Sequence, residues 1–356
     1  MPNIEYFLGA NAPRGFYSLY DQLIPPELTR AVYILKGGPG CGKSTLMKAV
    51  ARQAQELGLP VECILCSGDP ESLDAVVLPS LQAALVDGTA PHVVEPKCPG
   101  AVEHYVNLEA CYDAAALAPL REEITRYTTA YQSCYPRAYR CLGAAAQLRE
   151  DGRAMLTTPQ LEAKLSKRAA GILKREIHSR KKQTPGRVTQ RFLSAVTHKG
   201  VITLYHTALA QCDRVYELAD SYGLAHTMLT HLLAGITAAG YDAVVCPDPM
   251  APERMEHLLV PALGLAFLSV PPHSSLSVRP YRRIRLDAMP DGDLLRQLRP
   301  RLRFSAKVGR SLVEEAVQSL GQAKQLHDTL EQVYNPHVDF AQVDEIAQKI
   351  ISGLFQ

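Results

Sequence analysis

The chain repeats itself. Residues 6–20, YFLGANAPRGFYSLY, return at 191–205 as RFLSAVTHKGVITLY, so that Phe7, Gly15 and Tyr20 match Phe192, Gly200 and Tyr205. RAVYILKGGPGCGKSTLMKAV returns from Asp213 as DRVYELADSYGLAHTMLTHLL. LPVECILCSGDP returns as YDAVVCPDP, aligning Cys66 with Cys246, and LDAVVLPSLQAAL returns as MEHLLVPALGLAF, aligning Pro79 with Pro261. The matches keep their order at an offset between about 179 and 185, which unrelated chance similarities would not do. The chain is therefore expected to fold as two copies of one unit, 1–184 and 185–356.

Each copy has the same coarse plan. A short apolar strand, Ala31 to Leu35 or Val215 to Leu218, precedes an amphipathic helix. The first helix spaces Leu46, Met47, Val50, Ala54 and Leu57 at three or four residues and stops at Gly58. The second spaces Met228, Leu229, Leu232, Leu233 and Ile236 and stops at Gly240. A second apolar strand follows, Val61 to Cys66 or Ala243 to Cys246. Strand, helix and strand at this spacing predict a βαβ unit, hence an α/β fold with a parallel sheet flanked by helices. Each copy then becomes helical, over about 114–184 and about 305–356. Leu120 to Leu148 with Gln160 to Ile177, and Leu312 to Val333 with Val343 to Phe355, are expected as helical hairpins packed on the α/β cores.

Between the first strand and its helix stands Gly37-Gly38-Pro39-Gly40-Cys41-Gly42-Lys43-Ser44, the G-x-x-x-x-G-K-[ST] pattern of a P-loop. Glycines let successive backbone N–H groups point at phosphate oxygens, and the helix N-terminus brings its positive dipole end to the same place. In that chemistry Lys43 reaches the β- and γ-phosphates, Ser44 ligates Mg²⁺, and Thr45 serves the α-phosphate side. A nucleoside triphosphate such as ATP, with Mg²⁺, is the expected ligand. Lys36 precedes the first glycine and Gly38 follows it, so the variant loop of the MinD type, with its second lysine after that glycine, is not supported. An acidic residue at another strand end should help hold the metal. Asp87, after Ala83 to Val86, is the first candidate and Asp69 the second, each also a natural turn residue beside Gly88 or Pro70. Asp74, Glu71 and His92 are weaker; His92 recurs as His273, which favours a structural role.

The second loop reads Asp220-Ser221-Tyr222-Gly223-Leu224-Ala225-His226-Thr227. Asp220 stands for the first glycine and His226 for the lysine, so the second copy is expected to be a domain that binds no nucleotide in the ordinary way. A residual phosphate site using His226 and Thr227 is the alternative. Two basic clusters remain. Lys164 to Arg191 reads as a solvated linker, with nucleic acid or an acidic partner as the alternative. Arg279 to Arg285 could supply an arginine finger or a kinase lid.

Composition narrows the class. Net charge is only +2, so no whole-protein footprint for nucleic acid exists. Mean hydropathy of -0.07 argues against disorder, and no apolar run is long enough to span a bilayer; Leu258 to Val270 is the best and is broken by Pro261. The start, MPNIEYFLGANAPRG, lacks a secretory pattern, and nine cysteines are too sparse for a disulfide scaffold. Reduced thiols and a cytoplasmic location are expected. Cys63 and Cys66 form C-x-x-C on a strand, where their side chains point to opposite faces.

Strand-KGGPGxGKST-helix, SLDAVVLPSL, ALVDGTAPHVVEPKCPGAVE and the degraded repetition of the whole resemble a bacterial family of tandemly duplicated P-loop proteins. That family is catalogued as ATPases or nucleotide-kinase-like proteins with no firm reaction. The resemblance covers nearly the full chain and is strongest from Phe7 to Leu108. It implies two P-loop-type domains, NTP binding at Gly37 to Thr45 and a cytoplasmic location. In the family the second half often keeps an intact P-loop; here it does not. The expected activities are a Mg²⁺-dependent ATPase coupled to a conformational change, a small-molecule kinase, or a nucleotide-gated switch, acting on an unidentified protein or small-molecule acceptor.

Overall fold

The computed structural model describes residues 4–25, 28–91, 93–178, 184–272 and 274–355. In the first copy β1 (Ile4–Tyr6) leads into a hairpin of β2 (Gly9–Ala12) and β3 (Gly15–Ser18). β4 (Ala31–Lys36), α1 (Lys43–Glu56), β5 (Glu62–Leu65), β6 (Leu73–Leu78), β7 (Ala83–Asp87) and β8 (Glu103–Asn107) follow. The helical part is α2 (Ala114–Leu117), α3 (Arg121–Leu156) and α4 (Pro159–Glu176). The second copy runs through β9 (Val188–Gln190), β10 (Ser194–Thr197), β11 (Gly200–Thr203), α5 (Tyr205–Gln211), β12 (Arg214–Ala219) and α6 (Ala225–Ala238). It continues with β13 (Ala243–Asp248), β14 (Ala251–Val260), β15 (Leu265–Val270), β16 (Arg282–Arg285), α7 (Gly292–Tyr334) and α8 (Phe340–Phe355).

Each copy builds a six-stranded sheet. The orders are β1-β5-β6-β7-β4-β8 and β9-β13-β14-β15-β12-β16, the same path taken twice, as a tandem duplication requires. The sheets are mixed, which corrects the expectation of a parallel sheet. β6 is antiparallel to both β5 and β7, and β14 to both β13 and β15. The reason is chain length: only 66–72 join β5 to β6 and only 79–82 join β6 to β7, too little for a crossover between parallel neighbours. β4 still runs parallel to β7, β8 and, across two strands, β5, so β4-α1-β5 keeps its crossover.

The copies meet about a pseudo-two-fold axis. Phe7 and Phe192 exchange both backbone hydrogen bonds at 2.9 Å, and both rings are fully buried in a core shared by the two copies. The Asn11 amide donates to Val196 O at 2.9 Å.

The helical parts correct the expectation of hairpins on their own cores. α3 and α7 pair with each other and run antiparallel, as Arg137 beside Glu315 and Gly152 beside Leu302 show. Each long helix then hands its last helix to the other copy. Leu161, Leu165, Ala169 and Ile172 of α4 enter the core of Leu229, Leu232 and Ile236 on α6. Val343, Ala347 and Ile350 of α8 enter the core of Leu46, Met47 and Val50 on α1. α7 also begins about twenty residues earlier than the sequence signal, because Asp291 caps it through the N–H groups of Asp293 and Leu294 and Pro300 is tolerated inside. No described helix is long and apolar enough to cross a membrane. All nine cysteines are free thiols.

Candidate functional site

The glycine-rich segment Gly37 to Ser44 lies between the end of β4 and the start of α1. β4 is central, between β7 and β8, so the loop leaves the middle of the sheet rather than an edge. Two of its glycines take left-handed backbone, Gly40 at φ 71° and Gly42 at φ 83°, which side chains disfavour. Gly42 is the N-cap of α1 and offers no side-chain cap. Among the described residues no protein group accepts from the loop N–H groups of Gly38, Gly40 or Gly42. Unpaired N–H groups at a helix N-terminus form an anion-binding arrangement.

Lys43 lies over this loop. Its ammonium donates to Gly37 O at 2.6 Å and Gly38 O at 2.9 Å, and stands 3.7 Å from Asp87 Oδ2. Asp87 ends β7, the parallel neighbour of β4, so the sheet itself brings lysine and carboxylate together. The other carboxylate oxygen, Oδ1, accepts from Thr89 N–H at 2.8 Å and Thr89 Oγ1 at 2.6 Å. One Asp87 oxygen thus closes the turn at Thr89 while the other faces Lys43. Ser44 Oγ accepts from Leu73 N–H at 3.0 Å, which fixes the first turn of α1 against the start of β6. Thr45 is exposed on that turn. Cys41 is buried beneath the loop; burial pushes its thiol above the ordinary value, with the Lys43 ammonium acting against this. Tyr112 donates to Pro39 O at 2.8 Å and packs against Gly38.

Asp69 has other commitments. Its oxygens accept from Ser72 Oγ at 2.9 Å and Glu71 N–H at 3.2 Å, and Lys324 of α7 approaches to 3.5 Å. Burial alone would raise its carboxyl; Ser72, Lys324 and the Glu71 N–H outweigh this and hold it below the ordinary range. Its counterpart Asp248 is paired in the same way with Arg149 of α3. Both aspartates therefore tie a sheet to the long helix of the opposite copy. Asp74 is buried and accepts from Tyr20 OH at 2.8 Å, and Glu71 is exposed beside Lys199. His92 and His273 lie outside the described residues.

Sequence reasoning missed what the second copy adds to the loop. With its nitrogen turned toward two carbonyls, the Asn335 amide donates to Gly40 O and Glu331 O at 3.1 Å each. Val343 of α8 packs against Gly42. His327, Asp328 and Glu331, one to two turns before Asn335, bring three potential metal-ligand atoms within 4.8 Å of one another. Nothing in the residue pattern of 324–343 signals these contacts, because they follow from the exchange of helices.

The second loop is closed from within. Asp220 is 7% exposed, and its carboxylate accepts from Tyr222 N–H at 3.1 Å, Leu224 N–H at 3.0 Å and Ala225 N–H at 2.7 Å. Gly223 has φ 71°, the same as Gly40, but the loops enter their helices differently: Gly42 is left-handed where its counterpart Ala225 is already helical, and the second loop satisfies its N–H groups with a carboxylate. Burial pushes Asp220 above the ordinary carboxylate value, with the three N–H groups pulling down. His226 is not free for phosphate: its Nδ1 accepts from Met255 N–H at 3.0 Å, and burial, with Arg254 and Arg153 nearby, lowers its pKa. Arg254 donates to Gly223 O at 2.9 Å.

The basic clusters also find places. Lys164 to Arg175 belong to α4 rather than a linker, Arg180 to Lys182 lie outside the described residues, and Arg191 is buried. Arg191 pairs with Glu62 and donates to the carbonyls of Gln22 and Leu23, binding one copy to the other. Arg282 to Arg285 form β16, the edge of the second sheet beside β12, where Arg283 pairs with Glu217 at 2.9 Å. Among the described contacts these arginines meet elements of the second copy. No protein-family model, curated protein or solved structure matches the chain.

Proposed function

We propose that the first copy is a Mg²⁺-dependent nucleoside-triphosphate site, ATP being the probe of choice, and that hydrolysis there moves the helices of the second copy. The observation that carries this reading is the contrast between the loops. One offers unclaimed backbone N–H groups under a lysine. The other shares the left-handed glycine at Gly223 and satisfies its N–H groups with Asp220. The family resemblance points the same way.

Phosphate oxygens would lie against the N–H groups of Gly38 to Gly42, with Lys43 exchanging two carbonyls for phosphate charge. The donors beside them are the Ser44 hydroxyl and the Asp87 carboxylate, an all-oxygen set that suits Mg²⁺. Bound there, the ion would neutralise developing charge on the phosphates. Asp87 Oδ2 also holds the lysine ammonium over the loop. Asn335 and Val343 touch the loop at Gly40 and Gly42, so a loop that tightens on phosphate pushes directly on the junction between α7 and α8.

The test is ATP binding and phosphate release with Mg²⁺, comparing the parent with Lys43→Ala. Turnover without an added acceptor that falls at least about a hundredfold in the variant is expected. Lys43-dependent binding with no release would replace the ATPase by a switch or a kinase awaiting its acceptor. No binding by the parent would end the nucleotide reading.

A further inference from the structure

The exchange of helices creates one groove twice. In the second copy α4 lies across β12 and β16 and lines an open groove of about 570 Å³. In the first copy α8 lies across β4 and β8 and lines one of about 340 Å³. The two are built from matching positions. Tyr216 on β12 stands where Tyr33 stands on β4, and Arg282 pairs with Tyr216 as His104 pairs with Tyr33. Leu165, Ala169 and Ile172 face the core from α4 at the spacing that Val343, Ala347 and Ile350 use on α8.

The linings have diverged in charge. The first groove has one lysine, Lys349, with His104 and an apolar Ile346. The second gathers Lys164, Lys167, Arg168 and Arg175 from α4 and Arg282 from β16, with no carboxylate among its lining residues. In the matching helical register Arg168 replaces Ile346 and Lys167 replaces Glu345, so the basic character is specific to one copy. Two of the five cations are engaged: Lys164 donates to Met289 O at 3.3 Å, and Arg175 holds Glu176 and Tyr216 OH. Among the described residues Lys167, Arg168 and Arg282 pair with no carboxylate; Arg282 stacks over Tyr281 at 5.3 Å. Converging unpaired cations repel one another unless an anion lies between them.

We propose that this groove is a second ligand site, distinct from the P-loop, for a small molecule carrying at least two phosphate groups. Three unpaired cations call for about three negative charges, which two phosphates supply and one carboxylate does not. The volume suits a small ligand rather than a polymer. The cations come from two elements and line one groove; a nucleic-acid site would instead track the backbone along a stripe with stacking rings.

The test uses the full chain carrying Lys43→Ala, so that the P-loop does not bind the probe, and titrates it calorimetrically with tripolyphosphate. One saturable site is expected. The double variant Arg168→Ala/Arg282→Ala should weaken it at least about tenfold, whereas Lys349→Ala in the first groove should leave it unchanged. The charge-keeping pair Arg168→Lys/Arg282→Lys should bind within about threefold of the parent, and both side chains are exposed, so melting curves should superimpose. Absence of saturable binding, or binding indifferent to the alanine pair, would overturn the proposal. So would a single-stranded oligonucleotide that displaces tripolyphosphate at lower concentration, which would make the groove part of a nucleic-acid surface.

Discussion

Asp220→Ala tests whether the second loop is a phosphate-type nest that the protein fills for itself. The substitution strips the acceptor from three backbone N–H groups. Those of Leu224 and Ala225 are buried, and that of Tyr222 is partly open to water. A buried donor left unpaired costs about 1–3 kcal/mol, so two cost about 4 kcal/mol at mid-range, and Tyr222 adds little because water can reach it. Removing the carboxylate also removes its own desolvation penalty, which offsets part of the loss. A net destabilisation of about 3 kcal/mol follows, read as a lower midpoint in urea unfolding. The emptied nest should then accept a free anion. If phosphate binds it with a dissociation constant of about 1 mM, about 20 mM phosphate returns roughly 1.8 kcal/mol. The parent should gain only the general salting effect, so the difference between the two phosphate dependences is the measurement. A variant as stable as the parent, or one whose midpoint rises with phosphate no more steeply than the parent's, would refute the reasoning.

Three further outcomes are expected. Gly40→Ala places a Cβ against the Asn335 amide at φ 71° and should cost at least about 1 kcal/mol in unfolding while weakening ATP binding; an unchanged affinity would separate the loop from α7. Val343→Ala opens a gap between α8 and the P-loop copy and should cost about 2 kcal/mol, whereas a neutral result would mean that α8 is loosely held there. His226 is held neutral by burial, so its folded pKa lies below the ordinary 6.5 and the unfolded state takes up the proton first; stability present above about pH 6.5 is lost as pH falls through the lower folded value. His226→Asn keeps an acceptor for Met255 N–H and should flatten that dependence, by at most about 1.4 kcal/mol per pH unit, in unfolding curves between pH 5 and 7.5.

How much was legible depends on the range of the interaction. The loop from Gly37 to Ser44, the strand before it and the helix after it are local features, set by glycine dihedrals and apolar periodicity, and they stand where the sequence places them. Asp87 was legible as a strand-end carboxylate, though only the adjacency of β4 and β7 brings it to Lys43. The repetition predicted two like units, and the matched strand orders agree with it. The substitution of Asp220 for a glycine warned of a loop hostile to phosphate; that its carboxylate turns inward onto three N–H groups is a matter of geometry.

Sequence by itself determined the local structure: a glycine-rich turn between strand and helix in one copy, its altered counterpart in the other, and the helices that follow each sheet. Tertiary structure alone decided which copy each final helix serves. An amphipathic face specifies that it must be buried, and Val343, Ala347 and Ile350 would satisfy that demand equally on either copy's sheet. What selects the partner is reach. α3 and α7 are 36 and 43 residues long, about 54 and 65 Å, and because they run antiparallel each ends beside the other copy.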